Sequence, residues 1–157
     1  MEQKIAEHKI VEDPVLRQRL AFRPSEDADD ALIVEMWVEP GGGVPPHVHP
    51  AMEERFEVLS GELGLLSGRQ WTVAGPGQTV VVPPRTRHAY RNTGGEVAHA
   101  ICRAAPGLTL QEFLEEAAAM ARAGRLTRNG LPRSPRAAVQ ALSLAWRHRK
   151  MVIMRWV

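Results

Sequence analysis

Short apolar runs separated by turn residues dominate the chain between residues 31 and 105. Clusters rich in Gly, Pro, Ser and Asn separate the runs. The runs are Leu32–Val38, Phe56–Leu59, Leu63–Leu66, Trp71–Ala74, Thr79–Val82 and Val97–Cys102. Strands that recur at intervals of roughly 8–12 residues with such turns are typical of a β-sandwich or β-barrel. The pattern therefore predicts an all-β domain.

The first run alternates between two faces. Val34, Met36 and Val38 fall on one face of a strand, because successive side chains point to opposite sides. We expect these three in the core. Trp37 falls on the other face, between two glutamates. It is predicted to be exposed, to be covered by a terminal segment, or to form an interface in a homodimer.

The pattern becomes helical after Pro106-Gly107. Thr109 followed by Glu112 has the spacing of a capping box, in which the two side chains bind free amide groups at a helix start. Apolar residues then recur at helical spacing, and Gly124 is a plausible C-cap. The residues that set this spacing are Leu110, Phe113, Leu114, Ala117 and Ala121.

A second helix is predicted after a basic, turn-rich link at 125–133. Ser134-Pro135 has the form of an N-cap followed by proline at the first helical position, and the helix is expected to run to about Arg149. Met151–Val157 is apolar and suits either helix or a last strand. In the first 30 residues we predict only a weak strand at Ile5–Val11 and an exposed loop at 26–30.

Length and composition place the chain among ordinary globular proteins. It has 157 residues, of which 44% are hydrophobic and 24% are charged, which is enough for one domain with an appendage. No stretch is long and apolar enough for a membrane span, and no signal peptide is visible. The single cysteine, Cys102, rules out an intrachain disulfide and favours the cytoplasm, where thiols stay reduced.

Charge divides the chain into two unequal parts. Residues 1–108 carry a balance of −4, whereas residues 109–157 carry +6. Basic and apolar residues mixed near the C-terminus are also found in membrane-surface and nucleic-acid contacts. We expect neither partner here, because the predicted barrel is acidic. Instead we expect the helices to pack on the barrel or on a partner subunit, where they would cover the sheet or shape the pocket rim. The apolar residues buried in this way would be Leu110, Phe113, Leu114, Leu142, Leu144 and Trp146.

Two histidines and a glutamate form the first candidate for chemistry. His47 and His49 are two residues apart, so on a strand their imidazoles project from the same face. Glu54 begins the next strand on the side of Phe56, so its carboxylate is expected to point inward. A buried carboxylate needs a partner, and a metal ion next to the histidines would supply one.

A third histidine completes the candidate set. His88 follows a buried strand and a turn forced by Pro83-Pro84, and it shares one face with Tyr90 and Asn92. Three imidazole nitrogens and one carboxylate oxygen suit a first-row divalent metal and leave two positions of an octahedron free. The residue types do not choose among Fe, Mn, Ni, Cu and Zn.

Together these two segments resemble the paired motifs of the cupin superfamily. Gly41, His47, His49, Glu54 and Gly61 match the first motif, and Gly77, Pro83, His88 and Asn92 match the second. The resemblance covers roughly residues 31–105 and implies a double-stranded β-helix, or jelly roll, with one divalent transition metal inside one mouth. We therefore expect a cupin barrel over residues 1–107 and a basic helical C-terminal extension over 108–157.

The sequence departs from the family pattern at one turn position. Arg85 stands where the family usually has glycine, so a tight turn there would cost the backbone about 1 kcal/mol. Glu53 competes with Glu54 as a ligand, and the family spacing favours Glu54. Either a metal-free site or a purely structural metal remains an alternative.

Other residues are candidates for the pocket rather than for the metal. Tyr90, Asn92, His99 and Phe56 are possible pocket residues; His99 would line the barrel with Val97 and Ile101. A satisfied or surface position is the alternative for His99, and a strand-end turn for Asn92. His8 and His148 are expected to be solvated, and Cys102 to be a small buried residue.

The resemblance implies a function only at the level of chemistry. A metal with two free positions suits a bidentate oxygen substrate such as an enediol or a diketone, toward which it acts as a Lewis acid. We expect a small metal-dependent enzyme of the dioxygenase or cyclase/isomerase kind. The alternative is a non-catalytic cupin that binds or senses a small ligand, and an open apolar pocket would favour the enzyme.

Overall fold

Two antiparallel sheets face each other in the computed structural model, which describes residues 9–154. The first sheet has the strand order β1-β2-β3-β10-β5-β8, and the second has the order β11-β4-β9-β6-β7. The strands are β1 (Ile10–Asp13), β2 (Gln18–Pro24), β3 (Leu32–Val38), β4 (Gly43–Val48), β5 (Glu53–Ser60), β6 (Leu63–Ser67), β7 (Gln70–Ala74), β8 (Thr79–Val82), β9 (His88–Arg91), β10 (Ala98–Ala105) and β11 (Ile153–Met154). The predicted all-β jelly roll is confirmed.

The core lies between the sheets and follows the predicted alternation. Val34, Met36 and Val38 of β3 are buried, as expected from their shared face. They pack with inward residues of β5 and β6 in a single apolar cluster. Gly61 makes the turn between those strands at φ 72°, and a Cβ there would lie 2.6 Å from the carbonyl oxygen of Val97. Both the left-handed backbone and the close approach require glycine.

The N-terminal part of the fold differs from the sequence prediction. The strand predicted at Ile5–Val11 overlaps β1 at Ile10 and Val11, and residues 5–8 of the prediction lie outside the described residues. The sequence pattern did not predict β2, which pairs with β3 along its whole length and extends the first sheet. The loop at 26–30 is exposed, as predicted.

Two C-terminal helices, α1 (Leu110–Arg122) and α2 (Pro135–Arg147), follow the barrel. Thr109 is the N-cap of α1, but its side chain makes no capping bond, so the predicted capping box is wrong. Its hydroxyl lies 2.8 Å from Nδ1 of His148 instead. Ser134 caps α2 as predicted, accepting a hydrogen bond from the Ala137 amide at 3.1 Å. No helix among residues 9–154 has the length and apolarity to span a membrane.

The helices pack on the barrel through part of the predicted apolar set. Leu110 and Leu144 are buried, and Phe113 and Leu114 are partly buried against the core. Leu142 and Trp146 were expected to be buried but are 71% and 66% exposed. After α2 the chain returns to the barrel, where β11 pairs with β4 as a last strand.

Candidate metal centre

Three histidines and one glutamate meet inside the barrel, although they come from both sheets. His47 on β4 lies directly opposite His88, the first residue of β9, in the antiparallel pairing of those strands. His49 follows the end of β4, and Glu54 reaches in from β5 of the other sheet. One ligand atom from each of the four lies within 4.8 Å of all the others. The structure thus brings together all four residues that the sequence predicted as metal ligands.

The local sequence explains how β4 presents its histidine. Pro45 and Pro46 cannot donate to a ladder, and the β4–β9 pairing shifts register between Val44 and His47. The turn before β9 is tied to the same site, because the amide of Arg85 donates to the carbonyl of His49 at 2.8 Å. Arg85 has φ 64°, so the tight turn expected at this position is present.

Each histidine is held in the orientation of a metal ligand. In His47, Nδ1 lies 2.9 Å from the carbonyl oxygen of Pro45. In His49 and His88, Nδ1 lies 2.8 Å from the carbonyl oxygens of Met151 and Thr86, respectively. A carbonyl oxygen only accepts, so each Nδ1 carries the proton. In the neutral ring this leaves the Nε2 lone pair free. The same second-sphere hydrogen bond orients histidines in metalloproteins.

Buried nitrogen atoms without hydrogen bonds show that a cation fits between these side chains. Nε2 of His88 lies 2.8 Å from Oε2 of Glu54, and Nε2 of His49 lies 3.4 Å from Oε1. Neither Nε2 atom makes a hydrogen bond of normal geometry, and both are buried. A lone pair facing a carboxylate is repulsive unless a proton or a metal ion lies between them. The donor set is also one that first-row divalent metals prefer.

The electrostatics of the cluster keep Glu54 anionic and His47 neutral. Burial would raise the pKa of Glu54, but the neighbouring imidazoles of His49 and His88 outweigh it and hold that pKa well below its usual range. Burial, aided by His88, lowers the pKa of His47 to about 4. For His49 burial lowers the pKa, but Glu54 outweighs it and the pKa is raised overall. Glu54 is therefore a carboxylate, and His47 is neutral at neutral pH.

Glu53 and Glu54 differ as predicted. Glu53 is exposed on the outer side of β5, whereas Glu54 is buried in the cluster. The alternation of β5 explains the difference, because neighbouring residues on a strand point to opposite faces.

A large apolar cavity adjoins the cluster. It has a volume of about 780 Å³, and His47, His49 and Glu54 are among the residues that line it. Barrel residues form one wall, including Leu20, Val34, Met36, Val44, Tyr90 and Cys102; α1, α2 and their link form the other, including Leu110, Phe113, Leu114, Met120, Leu126 and Leu142. The C-terminal helices therefore cover the mouth of the barrel beside the four ligands.

Of the four predicted pocket residues, only Tyr90 lines this cavity. Its hydroxyl donates to Oε1 of Gln18 at 2.5 Å. Phe56 is buried in the core against Tyr90, with ring centroids 5.9 Å apart. Asn92 donates to the carbonyls of Val38 and Glu96 and accepts from the Gly94 amide, so it closes a turn. The pocket role predicted for Phe56 and Asn92 is therefore wrong.

His99 lies on the outer face of the first sheet, so its predicted place in the barrel is also wrong. Ala98, Ala100, Cys102 and Ala104 are the buried residues of β10. The imidazole of His99 stacks on Trp37, with ring centroids 4.9 Å apart, and its Nε2 lies 2.7 Å from Oε1 of Glu35. His99 is therefore a surface histidine with a hydrogen-bond partner, as the alternative prediction stated.

The prediction for His148 is wrong, and Asp13 is a cavity residue that the sequence did not predict. His148 was expected to be solvated, but it is buried beside Phe113 and Thr109; His8 lies outside the described residues. Asp13 lines the cavity, where burial raises its pKa although its Oδ1 accepts hydrogen bonds from the amides of Val15 and Leu16. The sequence Asp13-Pro14 indicated a turn at most, and nothing in it pointed to a cavity.

Comparison with known proteins agrees with the geometry. Residues 34–103 match the sequence profile of the family described as Cupin domain. This chain therefore carries a cupin domain, and the superfamily inferred from its two motifs is confirmed. Among curated proteins none matches the sequence significantly.

Solved structures share the fold over 57% to 68% of this chain. An RmlC-like cupin from Shewanella frigidimarina NCIMB 400 is 19% identical over 64% of this chain and 85% of its own, with a TM-score of 0.56. The polyketide cyclase RemF from Streptomyces resistomycificus is 24% identical over 68% and 80%, with a TM-score of 0.55. The cupin domain of an XRE family transcriptional regulator from Enterobacter cloacae is 22% identical over 57% and 96%, with a TM-score of 0.50.

Proposed function

We propose that this cupin is a small metal-dependent enzyme that acts on a bidentate oxygen substrate such as an enediol or a diketone. The reaction is of the dioxygenase or cyclase/isomerase kind. His47, His49, Glu54 and His88 would hold one divalent transition metal, Fe, Mn, Ni, Cu or Zn. When bound, the metal supplies Lewis-acid chemistry toward the oxygens of the substrate.

The observation that carries this proposal is the cavity beside the four ligands. Three of the ligands, His47, His49 and Glu54, line it, so a molecule in the cavity reaches the metal cluster directly. A cupin with a purely structural metal needs no such space, and its barrel mouth is expected to be filled by side chains. Cavities of a few hundred cubic ångströms with apolar walls and few polar groups are typical of small-molecule sites.

The chain's own residues would bind and orient the substrate. Burial raises the pKa of Tyr90 well above its usual value, so its hydroxyl stays protonated. Because that proton is donated to Gln18, the hydroxyl oxygen would accept a hydrogen bond from the substrate. Burial, together with Glu54, raises the pKa of the Cys102 thiol, which keeps it a neutral wall of the cavity. Asp13 is the one carboxylate outside the cluster among the described lining residues, and it would accept a proton from the substrate.

One observation favours the alternative, a non-catalytic cupin that binds or senses a small ligand. The two ionisable side chains next to the cluster, Tyr90 and Cys102, are both neutral, so Asp13 would have to carry all proton transfer outside the metal ligands. A binding module needs no such group. The distinction between the two functions is whether a bound substrate is converted.

Metal analysis followed by a turnover assay tests the proposal. Protein purified without a chelating tag is analysed for metal, loaded with each candidate metal, and assayed for O2 uptake and for consumption of enediols and β-diketones. We expect conversion with one metal, and its loss in Asp13→Asn while the metal is retained. Tight binding of these compounds without conversion by any metal form would support the sensory alternative.

Assembly, location and domain boundaries belong to the same proposal. The single buried thiol of Cys102 supports a reducing compartment such as the cytoplasm. A homodimer is supported by Trp37, which lies on the outer face of the first sheet. We assign residues 1–107 to the barrel and 108–157 to an extension that completes the cavity.

A further inference from the structure

The cavity combines a few polar groups with mainly apolar walls. The polar or ionisable lining includes three of the metal ligands and Tyr90, together with Asp13, Arg128 and Asn129. Facing walls come from the barrel, through Leu20 and Met36, and from α1 and α2, through Phe113 and Leu114. A volume of about 780 Å³ far exceeds what an enediol or diketone head group alone would fill.

We propose that the ligand has an extended apolar body with the bidentate oxygen group at one end. The oxygen pair would face the four metal ligands, and the apolar body would lie between the barrel and the two C-terminal helices. This inference rests on the proposed function and adds the substrate class. A polar body would lose its hydration against the apolar side chains and gain few hydrogen bonds, which is unfavourable, whereas an apolar body gains from the same burial.

The walls contributed by the helices decide the shape of this ligand. Small residues of both helices, Ala117 and Ala141 among them, line the cavity and leave room where larger side chains would close it. Leu142 also lines the cavity although it is 71% exposed, which places the cavity mouth beside α2. The link before α2 completes the rim with Arg128, Asn129 and Leu131. The far end of the ligand would therefore lie at this rim.

Alkyl hydroxamates provide a matched series of probes, because they carry the same bidentate oxygen pair on chains of different length. The affinity of the metal-loaded full-length protein is measured by calorimetry for acetohydroxamate and octanohydroxamate. Each buried methylene contributes about four-fold in affinity. We expect octanohydroxamate to bind at least about 100-fold more tightly than acetohydroxamate. Octanamide, which has the chain without the chelating pair, should bind far more weakly than octanohydroxamate.

A pair of helix variants locates the chain-binding site. Ala141→Phe would fill the cavity from α2, and we expect it to weaken octanohydroxamate at least about ten-fold while acetohydroxamate affinity changes less than two-fold. Ser143→Phe, on the exposed face of the same helix, is the matched control and should change neither affinity. Thermal melting of both variants checks that each is folded.

The outcomes separate this inference from the proposed function. If both hydroxamates bind with similar affinity, the apolar-body assignment is wrong, although the metal-dependent site stands. If the protein takes up metal but binds neither hydroxamate, or takes up no metal, the proposed function itself fails and this inference fails with it.

Discussion

At the scale of single residues, the metal ligands were predictable and the pocket residues were not. The four ligands sit at fixed spacings, and each spacing has one geometric meaning on a strand. The pocket prediction for His99 was wrong because either face of residues 97–102 could be taken as the core face. One face carries Val97, His99 and Ile101, and the other carries Ala98, Ala100 and Cys102. The larger side chains suggested the wrong core face. The small ones are buried because Met36 and Phe56 on neighbouring strands fill the space.

His47 gives the metal-free protein a pH-dependent stability. The pKa of His47 is about 4 in the folded protein and 6.5 in the unfolded chain. Between pH 4 and pH 6.5 the unfolded chain therefore binds a proton that the folded protein does not bind. This contribution to stability is complete above pH 6.5 and is lost as the pH falls toward 4. The loss amounts to about 3 kcal/mol.

Urea unfolding of metal-free protein at pH 7 and pH 4.5 measures this contribution. His47→Gln cannot gain the proton, so its stability should fall less between the two pH values than that of the wild type. Parallel losses in the two proteins would show that His47 is not the group responsible.

Arg85 is predicted to cost stability through its backbone. Its φ of 64° is unfavourable for a residue with a Cβ, and glycine would relieve the strain at the expense of a more flexible unfolded chain. Arg85→Gly should therefore stabilise the protein by about 0.5 kcal/mol in urea unfolding. Arg87→Gly is the control. Because Arg87 has no positive φ, this variant should lose about 0.5 kcal/mol of stability. A destabilised Arg85→Gly would contradict this account.

At the scale of elements, the strands with strong alternation and the two helices with regular apolar spacing were predictable. The missed strand β2 has polar residues at three of its seven positions, Gln18, Arg19 and Arg23, which conceals its pairing with β3. The position of the C-terminal segment could not be predicted either. β11 has only two residues, and its place beside β4 depends on tertiary packing of Met151 and Val152.

That segment is predicted to support metal binding. The carbonyl of Met151 accepts the hydrogen bond that orients His49, although 102 residues separate them. A stop after Lys150 removes this carbonyl and should weaken metal affinity about 10–100-fold, measured by competition with a chelator. A stop after Val152 removes β11 but keeps the carbonyl, so it should weaken the affinity much less. Equal affinities in the two truncated proteins, both folded by circular dichroism, would refute this role.

At the scale of the whole molecule, we predict a homodimer formed through the outer face of the first sheet. Trp37 on that face is half-buried against His99, and Arg19 lies over its ring. Trp37→Glu should weaken the dimer in sedimentation experiments at tens of micromolar protein. Trp71 lies exposed on the second sheet, so Trp71→Glu is the matched control and should leave the dimer unchanged. A monomeric wild type would disprove the prediction.

The barrel and the helices together define the site, because the four ligands lie in the barrel and the helices complete the cavity beside them. The sequence motifs could predict the barrel part, since a few spacings specify it. They could not predict the covering helices, whose apolar spacing does not say which surface they cover. Whether a metal occupies the cluster decides between a catalytic or ligand-binding site and a barrel that only retains these residues.

Metal stoichiometry is therefore the measurement that tests the central claim most directly. Wild type and variants are purified without a chelating tag, loaded with metal, desalted and analysed by inductively coupled plasma mass spectrometry. We predict about one metal per chain in the wild type and in Glu53→Gln, and less than about a tenth of that in Glu54→Gln and in His88→Ala. Full occupancy in His88→Ala, or no metal in the wild type, would contradict the assignment of this cluster as a metal centre.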